Sequence, residues 1–171
     1  MGDTPVRYGV ISRFLHWIMA LGFAWVLLTA ASRFIAEDAA FTKAVFAYHG
    51  QIGFTILWLA VLRILWGISQ SKNRPADGAL VKAGHGLMYL LMVLVPLLAL
   101  GRTFGGDRAF KYFGLTIFEP AGVKTEWLMS LGNNWHGNLG WLLFFIIIGH
   151  IAMAMKHKLA GPEHDVLPRM L

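Results

Sequence analysis

Apolar residues in this chain gather into four long runs separated by polar stretches. The runs extend from about Phe14 to Ile35, Val45 to Ile68, Leu80 to Leu100 and Trp135 to Met155. Each is about 20 residues long, and at about 1.5 Å of rise per residue a helix of that length crosses a hydrocarbon core of about 30 Å. In lipid only a helix satisfies the backbone of such a segment by itself. The pattern therefore predicts an all-α fold, a transmembrane four-helix bundle with lipid as its solvent. Pro96 falls inside the third run and is a candidate kink, tolerable within a packed bundle. The longest polar stretch, Arg102 to Asn134, lies between the third and fourth helices. It is expected to form a partly ordered cap with a short amphipathic segment. No internal repeat or low-complexity tract interrupts the chain, so residues 1–171 are expected to form one domain.

Composition supports this reading. Of the 171 residues 57% are hydrophobic and only 14% charged, against about one quarter charged in soluble domains. There is no cysteine, which excludes disulfides, thiolate-held iron–sulfur clusters and covalent haem c. The start, Met1-Gly2-Asp3-Thr4-Pro5-Val6, fits neither a myristoylation signal nor a cleaved leader. The net charge of +6 bears on topology rather than on nucleic acid, because no basic patch interleaves with exposed aromatics. Four spans put both termini on one side. Arg7, Arg13, Arg63, Lys72, Arg74, Lys82, Lys156, Lys158 and Arg169 fall on that side, and Arg33, Lys43, Arg102, Arg108, Lys111 and Lys124 on the other. By the positive-inside rule the bias predicts cytoplasmic termini. Trp17, Trp66, Trp127, Trp135 and Trp141 are expected near the interfaces, as in an aromatic belt.

Five of the seven histidines fall in or at the edges of the helices, where ionisable residues are costly and point to function. His16, His85 and His150 lie toward the inner face; His49 and His136 lie toward the outer one. His136 and His150 are separated by about 21 Å along one helix and by about 40° less than four full turns. They leave the same face, so two stacked sites follow. A six-coordinate haem needs an axial ligand on each side. His49 is the partner for His136; His150 can pair with His16 or His85, and periodicity leaves that choice open. Bare metal is a weaker rival, since no carboxylate or cysteine accompanies these histidines within the spans. Glycines flank the candidates: Gly50, Gly53, Gly84, Gly86, Gly137, Gly140 and Gly149. They serve either a flat macrocycle or close helix packing. Arg63 and Arg13 each have two readings, ion-pairing with a haem propionate or snorkelling. His157 is a candidate quinone ligand or an ordinary interfacial histidine. His164 reads as surface.

The chain resembles the bacterial cytochrome b561 family, and within it the small inner-membrane members that oxidise superoxide and reduce ubiquinone. The resemblance rests on Ser12-Arg13-Phe14-Leu15-His16-Trp17, on His49-Gly50-Gln51-Ile52-Gly53 with Arg63, and on Gly84-His85-Gly86-Leu87-Met88-Tyr89. It continues through Phe113-Gly114-Leu115-Thr116, Trp135-His136-Gly137-Asn138-Leu139-Gly140, Gly149-His150 and the tail Asp165-Val166-Leu167-Pro168-Arg169-Met170. It implies two b haems with axial pairs His16/His150 and His49/His136. It leaves His85 as a pocket residue near the inner haem, with His85 and His157 as a possible quinone site. Relatives can carry a histidine where this chain has Lys156, which bears on His157.

The resemblance further implies a superoxide:quinone oxidoreductase of the bacterial inner membrane, with superoxide as donor, ubiquinone as acceptor and a homo-oligomer possible. Steering of the anion falls to the outer basic residues, which share their surface with Glu37, Asp38, Asp107, Glu119 and Glu126. The same fold serves membrane haem subunits of hydrogenases, so a relay for a partner dehydrogenase or hydrogenase is one alternative. A non-redox anchor or transporter is the other.

Overall fold

The computed structural model describes residues 2–75 and 78–171; Met1, Ala76 and Asp77 lie outside the described residues. Helix α1 spans Val10–Ile35, α2 Ala40–Phe46, α3 His49–Ser69, α4 Ala79–Gly105 and α5 Glu126–Leu159. Four segments are long and apolar enough to cross a membrane: α1, α4, α5, and α2 with α3 taken together. Their mean hydropathy is 1.8 to 2.0. This is a multi-pass, all-α bundle. Each of these helices is studded with exposed large apolar side chains, among them Phe14, Leu21, Leu62, Leu65, Leu90 and Phe145, as a lipid-facing surface requires.

Two boundaries differ from the sequence-based expectation. Helix α5 begins at Glu126, not near Trp135, and its 34 residues reach about 51 Å, beyond the hydrocarbon at its ends. Polar residues there do not stop a helix that has left the lipid. The expected amphipathic cap is instead a two-stranded antiparallel hairpin, β1 at Phe110–Tyr112 and β2 at Leu115–Phe118. Its two-residue loop, Phe113-Gly114, has φ of 45° and 91°, the double positive φ of a type I′ turn. Tyr112 packs against Phe54 and exchanges a 3.0 Å hydrogen bond with Thr55 Oγ1, while Phe118 meets Phe104. The hairpin thus closes over one end of α3 and α4. Pro96 lies within α4, which continues through it to Gly105.

Both termini meet at the opposite end. The Tyr8 N–H donates to the Arg169 carbonyl at 3.1 Å, Trp17 Nε1 to the Met170 carbonyl at 3.0 Å, and Arg7 and Arg13 donate to the Leu171 carbonyl. The buried Asp3 carboxylate accepts from Gly9 N–H at 2.8 Å and Ser12 Oγ at 2.6 Å and pairs with Arg74 at 3.0 Å. Trp66 donates to Ser12 Oγ at 2.9 Å, because α1 passes within reach of its indole.

At mid-depth Met88, Leu91 and Leu143 form the core, with Phe23, Met92, Leu139, Ile146 and Ile147 packed around them. The close approach of α4 and α5 depends on two glycines that sequence reasoning did not single out. A Cβ at Gly105 would stand 2.7 Å from Leu128 Cβ. A Cβ at Gly132 would collide with Arg102 Cβ and lie 2.5 Å from the Leu98 carbonyl oxygen. Backbone cannot yield as a flexible side chain can. Gly132→Ala should therefore cost about 1–3 kcal/mol and lower the thermal unfolding midpoint in detergent; an unchanged midpoint would mean the two helices do not approach this closely.

Candidate haem-ligand pairs

Two groups of histidines converge inside the bundle, one toward each end. At the hairpin end, His49 opens α3 and faces His136 of α5, with ring centres 6.2 Å apart and planes at 85°. At the termini end, His150 of α5 faces His16 of α1 at 6.4 Å and His85 of α4 at 5.6 Å. The apolar layer around Leu143 separates the two levels. Two levels of histidines along one face of α5, expected from the fourteen-residue spacing, are therefore present.

Hydrogen bonds at the hairpin-end pair fix which ring nitrogens are free. The Thr29 hydroxyl donates to the Val26 carbonyl at 2.8 Å, so its oxygen is left to accept from His49 Nδ1 at 2.7 Å. Thr29 is fully buried, and no water competes for that bond. His136 Nδ1 lies 2.9 Å from the Val95 carbonyl, which can only accept. Both imidazoles thus carry their proton on Nδ1 and leave the Nε2 lone pair available, the arrangement found for metal-binding histidines. Phe46 stacks on His49 with centres 4.9 Å apart and planes at 11°, and the Arg33 guanidinium lies 4.6 Å above Phe46.

The donor set fits haem b. A metal bonded to two Nε2 atoms at about 2.0 Å each holds the ring centres a little over about 6 Å apart, close to the two longer separations. Among the described residues no three His, Cys, Asp or Glu side chains form a metal cluster. The His49/His136 pair leaves two Nε2 atoms free, and a metal held between them would need its remaining donors from another group, as a macrocycle supplies. Space exists beside the ligand helices: a Cβ at Gly53, Gly84, Gly86, Gly137 or Gly149 would meet nothing within 4 Å. Close helix packing is carried by Gly22, Gly105 and Gly132 instead.

The remaining candidates divide. Arg63 donates from Nε to Tyr89 Oη at 3.0 Å and from Nη1 to the Ser12 carbonyl at 3.2 Å, so it bridges α3 to α4 and to the start of α1. Arg13 spends Nη1 on the Leu171 carbonyl and keeps a buried Nε without a partner. His157 occupies the last turn of α5, and its side chain forms no hydrogen bond with a described residue. His164 pairs with Glu163 at 3.6 Å in the tail. Thr29, Phe46 and the Val95 carbonyl escaped sequence reasoning. A buried hydroxyl within an apolar run was the one available signal, and a backbone carbonyl gives none.

A family model described as prokaryotic cytochrome b561 matches residues 7–171. Cytochrome b561 homolog 2 of Escherichia coli (strain K12) is 27% identical over 187 aligned residues, covering 99% of this chain and 93% of that relative.

Proposed function

The chain belongs to the prokaryotic cytochrome b561 family and is a membrane-embedded redox protein, and from that premise we propose that it is a di-haem superoxide:ubiquinone oxidoreductase. In this reading residues 1–171 form one di-haem domain in the bacterial inner membrane with both termini cytoplasmic. His49 and His136 hold the outer haem b, and His16 and His150 the inner one. The observation that carries it is the His49/His136 pair, with both Nδ1 protons tied and both Nε2 atoms free at a 6.2 Å ring separation.

The haems, when bound, supply one-electron transfer. The chain's own residues do the rest. Thr29 and Val95 hold the outer imidazoles in the ligating tautomer. The Met88–Leu91–Leu143 layer keeps water from the space between the sites. Arg33 is paired with Glu37 at 2.8 Å and Lys43 with Asp38 at 3.3 Å, which reduces their pull on an incoming anion. Among the described residues Arg108, Lys111 and Lys124 have no carboxylate within ion-pair distance, so steering of superoxide rests on them. Two superoxide anions give two O2, and their two electrons with two protons convert one ubiquinone to ubiquinol. His85, beside His150, is the residue placed to pass a proton to quinone at the inner site; His157, farther along α5, is the weaker candidate.

The test is a reduced-minus-oxidised spectrum of the purified protein, haem quantified per chain, and reduction by a pulse of superoxide with and without ubiquinone. Two b haems, reduced rapidly by superoxide and reoxidised by quinone, are expected. Two haems that ignore superoxide would replace this reading with a relay for a partner dehydrogenase or hydrogenase. Absence of haem after expression with adequate haem supply would sink the ligand assignment.

A further inference from the structure

Among the described residues, each end of the bundle has one arginine whose Nε is buried without a hydrogen-bond partner, Arg13 at the termini end and Arg102 at the hairpin end. Arg13 donates elsewhere to the Leu171 carbonyl. The Arg102 side chain has neither a hydrogen bond nor a carboxylate partner among the described residues. Leaving a guanidinium N–H buried and unsatisfied is unfavourable, and a charged group is the costliest case.

Its placement is imposed by the fold. Gly132 of α5 lies directly against the Leu98–Arg102 backbone of α4, where any larger residue would collide. That contact buries the start of the Arg102 side chain between the helices. Arg102 follows Val95, whose carbonyl holds His136, by seven residues, about two turns of α4 and about 10 Å nearer the hairpin end. It therefore sits on the His136 face of α4, displaced outward from the histidine pair. Its positive charge is within electrostatic reach of both His49 and His136. The other cations nearby are Arg33, engaged by Glu37 and Phe46, and the exposed Arg108. Of the acids at this end, Glu37 is held by Arg33, Asp38 by Lys43 and Asp107 by Gly122 N–H at 2.8 Å, and among the described residues neither Glu119 nor Glu126 pairs with Arg102. The site lacks an anion, and specifically a planar acceptor matched to the guanidinium fork.

We propose that Arg102 is the counter-ion of a propionate carboxylate of the haem held by His49 and His136, an assignment that rests on the di-haem reading. The propionate satisfies the buried Nε–H, and the arginine charge favours the reduced form of that haem by offsetting the negative charge of the carboxylates. Removing the charge should lower that haem's midpoint potential and loosen its retention, leaving the other haem untouched.

The experiment compares wild type, Arg102→Gln, Arg102→Lys and Arg108→Gln in detergent, by haem content per chain and by potentiometric titration followed in the visible spectrum. The haem lost in His136→Ala identifies the hairpin-end signal. Expected are a downward shift of that midpoint in R102Q, substantial restoration in R102K, and a smaller shift in R108Q. Should R102Q lose the haem altogether, a charged R102K that keeps it supports the assignment. R102K losing it as well would mean that Arg102 acts by shape against Gly132, which overturns it. Two haems with unmoved midpoints in R102Q would also overturn it while leaving the di-haem reading intact. A wild-type protein without haem would instead remove the reading on which it rests.

Discussion

His136→Ala will yield a protein with one b haem per chain in place of two, and superoxide-driven quinone reduction will fall by about 100-fold or more. In the proposed reading His136 supplies one of the two nitrogens that hold the outer haem, and its Nδ1 is fixed by the Val95 carbonyl at 2.9 Å. Disturbing only the outer-shell partner of a metal ligand costs about 10- to 100-fold in affinity or activity, so deleting the ligand itself must cost at least as much. His49→Ala should give the same product, since His49 lies across the same axis at 6.2 Å. The surviving haem should keep its spectrum, because the Met88–Leu91–Leu143 layer separates the two levels. A haem ratio still at two in both variants would disprove the outer pair.

His16→Ala and His85→Ala should separate ligand from pocket at the other end. His150 has both as neighbours, but the His16 ring stands at 6.4 Å, the spacing that a shared metal requires, and the His85 ring at 5.6 Å. H16A is therefore expected to lose the inner haem. H85A is expected to retain two haems and to slow reoxidation by ubiquinone by about 100-fold, the lower range for loss of a general acid. The check is haem content together with stopped-flow reoxidation. Haem lost from H85A and kept by H16A would exchange the two roles.

The two histidine levels were legible because α5 is one continuous helix. Fourteen residues in a regular helix fix both a distance and a direction, so His136 and His150 could be placed before any tertiary contact was known. The four spans were legible for a related reason: lipid compels a long apolar run to become helix. The segment between α4 and α5 was not legible in the same way. Outside the hydrocarbon, Glu126 to Asn134 are free to extend a helix, and the Phe113-Gly114 turn declares a hairpin only once strands are known to flank it.

Pairings between helices required the fold. His85 and His16 share the termini end of the sequence pattern equally; only the packing of α1, α4 and α5 sets their rings at different distances from His150. The supports are likewise invisible in one dimension. Thr29 reaches His49 across twenty residues, and Val95 offers a backbone carbonyl that every residue type carries. The glycines make the same distinction from the other side. Gly53, Gly84, Gly86, Gly137 and Gly149 read in sequence equally as macrocycle or packing residues and leave open space, while Gly105 and Gly132 carry the tight α4–α5 contact. The sequence by itself determined the four spans, their membrane residence and the depth of the histidines, because helical periodicity and hydrophobicity are local properties of the chain. Which nitrogen is free, which histidine faces which, and why the Nε of Arg102 is buried were decided only by tertiary structure, because each depends on a surface supplied by a distant helix.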